Sequence, residues 1–313
     1  MRALVLYGPL ILTVVLWSFQ MPALHELGAR WDPVTLGFGR NLLAAVAFGM
    51  LTAVVLSRRP QTSTVSQSSL AVLSVGNGLW IGGLFAGFGL LFAWGAVVGS
   101  PIVSATVTAV MPITASLVTW AVTGRKPARV LLIALVFVVP GAFLAMPPSS
   151  GTGGDAPRLG LVLIFLAQVC WSLYSLAVPR CMAGASAIAS TQASILWALP
   201  YYAVACAICW GAGVGRADLS APGIDATLAI SSTVGPLVLG VVLWNLSISR
   251  LGLPICALFL NCVPVFGTLI AWAFGIVPTL LQAGGVALVI LGMFIAQYRR
   301  RDVRLGRSPM PRT

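Results

Sequence analysis

The sequence predicts an all-α integral membrane protein whose ten transmembrane helices form two inverted five-helix repeats. Three observations lead there. The chain of 313 residues is 59% apolar and 8% charged, with a mean hydropathy of +1.00, too little polar surface for an exterior that stays wet. Its apolar residues fall into runs long enough to cross a bilayer, for which a helix rising about 1.5 Å per residue needs roughly 20 residues to cover about 30 Å. Finally, the basic residues between the runs gather on one side.

In chain order the spans fall near 4–24, 34–56, 69–97, 101–121, 130–146, 159–179, 188–210, 226–248, 253–274 and 279–297. The first follows Arg2 and carries Trp17-Ser18; with Gly28-Ala29 it imitates a secretory signal, but a removed peptide would have no twin later in the chain. The second follows Pro33 and contains Arg40. Gly76, Gly78, Gly82, Gly83, Gly87 and Gly89 give the third small-residue faces that let helices approach closely, within one subunit or between two. Only Gly99, Ser100 and Pro101 divide it from the fourth. The tenth ends at Arg299, Arg300, Arg301, Arg304 and Arg307, a cluster suited to anionic lipid headgroups, and the tail from Asp302 is expected to be disordered.

With a cytoplasmic N-terminus, Arg2, Arg58, Arg59, Arg125, Lys126, Arg129, Arg180, Arg250, the five clustered arginines and Arg312 lie inside. Only Arg30, Arg158 and Arg216 lie outside, and Arg40 lies within a span. Lys and Arg hold loops on the cytoplasmic side, so both termini are expected there. The net charge of +12 is then a matter of topology, and its dispersal over loops argues against a nucleic-acid partner.

The two halves repeat. Val14-Val15-Leu16-Trp17-Ser18 answers Gln168-Val169-Cys170-Trp171-Ser172; Pro112 and Trp120 answer Pro264 and Trp272; Trp94 answers Trp244. Five spans per half is an odd number, so the halves insert in opposite orientations. That arrangement recurs in secondary transporters, with the substrate site near the midplane where the halves meet. The expected divisions are 1–147 and 159–298 for the repeats, 148–158 for the loop between them and 299–313 for the basic tail.

Leu16-Trp17-Ser18, Pro33, Gly39-Arg40-Asn41-Leu42-Leu43-Ala44-Ala45, Pro264-Val265-Phe266 and Leu281-Gln282-Ala283-Gly284-Gly285 through Leu291-Gly292 resemble the drug/metabolite transporter superfamily, specifically its ten-helix EamA-type members. The likeness covers roughly residues 5–297. It implies a bacterial inner-membrane carrier of small metabolites, often an exporter of amino acids or related compounds, working by alternating access. Family members commonly carry a Glu just after the fourth and ninth spans. Here those places read Gly124-Arg125-Lys126-Pro127 and Gly275-Ile276-Val277-Pro278, so no role of that Glu transfers.

Ionisable groups inside a membrane are functional candidates by default. Arg40 is the candidate here: it either faces a cavity or helix contact, where it would suit a carboxylate, or snorkels to the interface. Gln20, Asn41, Asn77, Gln168, Gln192, Asn245 and Asn261 outline a polar interior. Trp17, Trp171 and Tyr174 offer an amphipathic wall, whereas Trp94 and Trp244, near span ends, suit the interfacial belt. The paired Pro112 and Pro264 are hinge candidates.

Catalysis finds little support. His25 stands alone, no HExxH, GxSxG or phosphate loop accompanies it, and the six cysteines form no metal set, so no cofactor or metal is expected. A channel would want rings of like groups or a carbonyl filter, which the sequence lacks. The reading is a secondary carrier of a small amphipathic metabolite, moved outward between two halves that rock against each other, acting as monomer or homodimer.

Overall fold

A computed structural model describes residues 2–57, 73–99, 101–108, 110–124, 126, 136–137, 139–141, 143–144, 156–183, 185, 187–218, 220–251 and 259–305. Among these the only extended pairing is an isolated bridge between Trp31 and Ala217; the regular elements are helical. The first half comprises α1 (Arg2–Gly28), α2 (Pro33–Ser57), α3 (Val75–Val98), α4 (Pro101–Thr108) and α5 (Met111–Thr123). The second comprises α6 (Ala156–Cys181), α7 (Ala187–Gly211), α8 (Pro222–Thr233), a π-helical turn (Val234–Gly240), α9 (Val241–Leu251), a 3-10 turn (Leu260–Cys262), α10 (Val263–Ala273) and α11 (Leu280–Leu305).

Among the described residues six stretches are long and apolar enough to cross a membrane: Leu6–Gly28, Pro33–Val54, Val75–Val98, Arg158–Cys181, Ile188–Gly211 and Pro222–Trp244. They coincide with the first three and the sixth to eighth predicted spans. Shorter apolar helices, Ile113–Thr123, Val263–Ala273 and Leu280–Gly292, fall in the fourth, ninth and tenth. Most of the fifth lies outside the described residues.

Burial is reversed from that of a protein in water. Leu280, Phe294 and Ile208 are 94%, 68% and 66% exposed, whereas Ser18, Arg40, Asn41, Gln168 and Ser194 are buried. Such an exterior is matched to hydrocarbon, with polar side chains turned inward to find partners.

Close packing depends on glycine. A Cβ on Gly82 would stand 2.3 Å from the Trp197 carbonyl oxygen, and one on Gly160 would stand 2.7 Å from the Gly99 Cα. The glycine face of α3 is therefore used within the chain, against α6 and α7, which are its most extensive neighbours.

Among the described residues two large apolar clusters result, besides a small one around Val286. One joins α1, α9, the 3-10 turn and α10 through Leu10, Val14, Leu24, Trp244, Leu260 and Val263. The other joins α2, α3, α6 and α7 through Ala44, Phe48, Ile81, Tyr174, Ile195 and Tyr202. Helices α3 and α6 belong to both, since Phe92, Ala96, Ile164 and Ala167 pack in the first cluster. Each cluster thus draws helices from both sequence halves.

The fourth and ninth spans are interrupted. After Val110, Pro112 sits in the first turn of α5; after the 3-10 turn, Pro264 sits in the first turn of α10. Both helices run into left-handed glycines, Gly124 at φ 70° and Gly275 at φ 80°, a conformation a side chain would strain.

Three details differ from the sequence reading. Helix α3 starts at Val75, where the Ser74 side chain accepts from the Asn77 N–H at 3.4 Å, rather than near residue 69. Trp244 is no belt residue: α9 continues past it to Leu251, and it is buried against Trp17 with ring centroids 5.1 Å apart. Helix α11 carries on to Leu305, since arginine is a good helix former and a cation favours a helix C-terminus.

Candidate functional site

Where the two clusters meet, Gln20 of α1, Gly37, Arg40 and Asn41 of α2, Phe85, Phe88, Gly89 and Phe92 of α3, Tyr202 of α7 and Leu237 of the π-turn enclose a cavity. Its free volume is about 20 Å³, room for about one water.

Arg40 is 6% exposed, so it faces the interior and does not snorkel. Its Nη2 donates to the Ser232 carbonyl at 2.7 Å. That carbonyl is available because the residue four positions on is Pro236, which has no N–H to offer it. The Arg40 Nε is buried without a partner, and among the described residues no carboxylate lines the cavity. A buried guanidinium without an ion pair carries a desolvation penalty of several kcal/mol that a bound anion would offset.

The other walls follow from close contacts. Tyr202, 3% exposed, projects between two glycines: a Cβ on Gly37 would lie 3.2 Å from its ring and one on Gly89 would collide with its hydroxyl. Asn41 Nδ2 donates to the Ile195 carbonyl at 3.1 Å, tying α2 to α7, and Gln20 is buried. Behind Phe85 and Phe88 stands a second aromatic layer. Trp171 lies 4.7 Å from Phe88 and 5.1 Å from Tyr174, whose hydroxyl bonds Ser194 at 3.0 Å.

Of the residues singled out from sequence, the structure brings Gln20, Arg40 and Asn41 to the cavity. Trp17 lies outside it and donates from Nε1 to the Pro236 carbonyl at 3.0 Å. Trp171 and Tyr174 support the wall without lining it. Gln168 is buried elsewhere on α6 with its Oε1 unpartnered. Gln192 accepts from the Thr52 hydroxyl at 3.3 Å, a bond between α7 and α2. Asn77 is exposed, because α3 begins only two residues before it and turns Gly78 and Gly82 to α7 in its place. The side chains of Asn245, Asn261 and Pro112 lie outside the described residues.

At one end of the bundle the α1–α2 and α7–α8 connections are bound together. Arg30 Nε donates to Asp225 at 2.7 Å and Trp31 Nε1 donates to the same carboxylate at 3.0 Å. Asp32 caps α2 by accepting from the Val34 and Thr35 N–H groups at 2.9 Å, and its other oxygen accepts from the Arg216 N–H at 2.8 Å. Burial pushes the Asp32 carboxyl up, but hydrogen bonds from Thr35, Arg216 and Val34 outweigh it and leave the group below its ordinary value. The hydrogen bond to Asp225 holds the Arg30 guanidinium above its own.

Sequence reasoning missed Tyr202, the phenylalanine walls and this polar rim. The rim had a signal: Arg30 and Arg216 share their predicted side with Asp32, Asp218 and Asp225, the side that holds every acidic residue but Asp302.

The sequence model of the EamA-like transporter family matches this chain twice, at residues 5–146 and 158–298. A Bacillus subtilis (strain 168) protein named "Uncharacterized transporter YyaM" is 26% identical over 269 residues, covering 83% of this chain and 85% of that protein. A protein of known crystal structure shares the fold with a TM-score of 0.58 at 21% identity, over 92% of this chain and 95% of its own.

Proposed function

This chain belongs to the EamA-like transporter family, and from that premise we propose that it is a ten-helix secondary carrier of two inverted repeats. It moves a small amphipathic metabolite outward across a bacterial inner membrane, with both termini cytoplasmic. The observation that carries this reading is the cavity itself: a small space between two apolar clusters, lined from both halves of the chain, with a buried cation in its wall whose Nε has no partner.

Further support comes from the internal pairing. Helix α1 packs on α10 as α6 packs on α4 and α5, the exchange that a two-fold relation between the halves requires. The doubled family match falls on the same two stretches. The rim of Arg30, Trp31, Asp32, Arg216 and Asp225 ties the chain connections at the outer end, and opening alternates as the two clusters rock about the cavity.

Efflux of preloaded labelled amino acids, nucleobases and organic acids from proteoliposomes tests this, with and without a pH gradient. Saturable release of one class is expected. No release of any compound by folded, inserted protein would overturn the carrier reading.

A further inference from the structure

We infer that the cavity recognises an organic anion with an aromatic or similarly apolar body, placing its carboxylate on Arg40 and rejecting cationic and zwitterionic compounds of the same shape; the transport part of this inference rests on the carrier reading above.

The charges around the cavity are unbalanced in one direction. Arg40 is buried, donates once to a neutral carbonyl and keeps a buried Nε without a partner, although its planar fork suits a carboxylate bidentately. The described carboxylates are elsewhere. Asp32 is engaged by the backbone N–H groups of α2 and Arg216, Asp225 by Arg30 and Trp31, and Glu26 and Asp218 lie at the same end of the bundle. A ligand ammonium would therefore meet no counter-ion in the cavity and would feel Arg40 as a like charge. Phenylalanine ring faces attract cations, but beside an unpaired guanidinium that attraction is opposed at short range.

The remaining walls define the body of the ligand. Phe85, Phe88, Phe92 and Leu237 offer apolar surface, and Gln20 and Asn41 add polar residues to the lining. The free space holds about one water, and the Tyr202 ring fills the gap between Gly37 and Gly89. A six-membered ring is admitted only when Tyr202 gives way, which couples occupancy to separation of α2 and α3 from α7.

Three probes of one shape separate the possibilities on the unaltered full-length protein: phenylpyruvate as anion, phenylalanine as zwitterion and phenethylamine as cation. Binding is read as a shift in melting temperature in detergent, and movement as counterflow in proteoliposomes. Phenylpyruvate alone is expected to raise the melting temperature and to exchange. In R40Q its affinity should fall at least tenfold, and R40K, which keeps the charge without the fork, should retain part of it. Equal or better binding of phenylalanine or phenethylamine, no binding of phenylpyruvate, or unchanged affinity in R40Q would each overturn the anion site. Phenylpyruvate binding without exchange would leave that site standing and remove the carrier reading, while exchange of a different class would do the reverse. The three-probe comparison decides the matter even where R40Q fails to insert.

Discussion

Because Pro236 has no N–H, the Ser232 carbonyl lacks its usual helical donor and accepts from Arg40 instead. Pro236→Ala restores that donor, so an incoming anion no longer competes with a charged hydrogen bond of about 1.5–3 kcal/mol. Phenylpyruvate affinity is expected to rise about tenfold in this variant; unchanged affinity would mean that the carbonyl does not restrain Arg40. At the rim, Asp32 is held below its ordinary value, so its contribution to stability is complete above the unfolded-state value near 3.8 and is lost as pH falls through the lowered one. Asp32→Asn should flatten the acid side of a melting-temperature profile that falls steeply for the unaltered protein. Arg40, Gln20 and Asn41 were legible in the sequence because a charge or amide inside an apolar run stands out whatever the fold. Tyr202 was not: it adjoins Tyr201, which is 37% exposed and donates to the Leu79 carbonyl, and one position is about 100° of helix rotation that composition does not resolve.

Helices announce themselves by length, which is why α1, α2, α3, α6 and α7 agree with the predicted spans to within a few residues, apart from the later start of α3. The interruptions before α5 and α10 fall beside Pro112 and Pro264, but the π-turn left no comparable mark, since Pro236 alone does not tell a kink from a widened turn. The helix crossings can be tested directly. Gly160→Ala would press a methyl against the Gly99 backbone, an overpacking that costs about 1–3 kcal/mol and should lower the melting temperature by several degrees. Gly49→Ala, on the exposed face of α2 with nothing within 4 Å, should leave it equal or slightly raise it through better helix propensity. Equal behaviour of the two variants would mean that the glycine contact is looser than its backbone distance.

At the scale of the whole molecule, the duplicated sequence suggests halves that rock against each other, yet the apolar clusters divide the helices differently. Arg30, just past α1, and Asp225 of α8 belong to opposite sequence halves but adjoin helices that pack on each other. A short thiol crosslink between R30C and D225C is therefore expected to leave at least half of the counterflow rate. Abolished counterflow would show that the sequence halves are the moving bodies after all. The two clusters share α2, α3 and α6, and at Gly99 and Gly160 the end of α3 meets α6 backbone to backbone. Such a contact has no slack for sliding or parting, but it does allow rotation, in the way of an axle. In the proposed carrier, displacement would grow with distance from that crossing, leaving the glycines still while the bond from Arg40 to Ser232 opens and closes. In that proposal the contact of α3 with α6 is the fulcrum of a lever, set in the seam between the two halves of the chain.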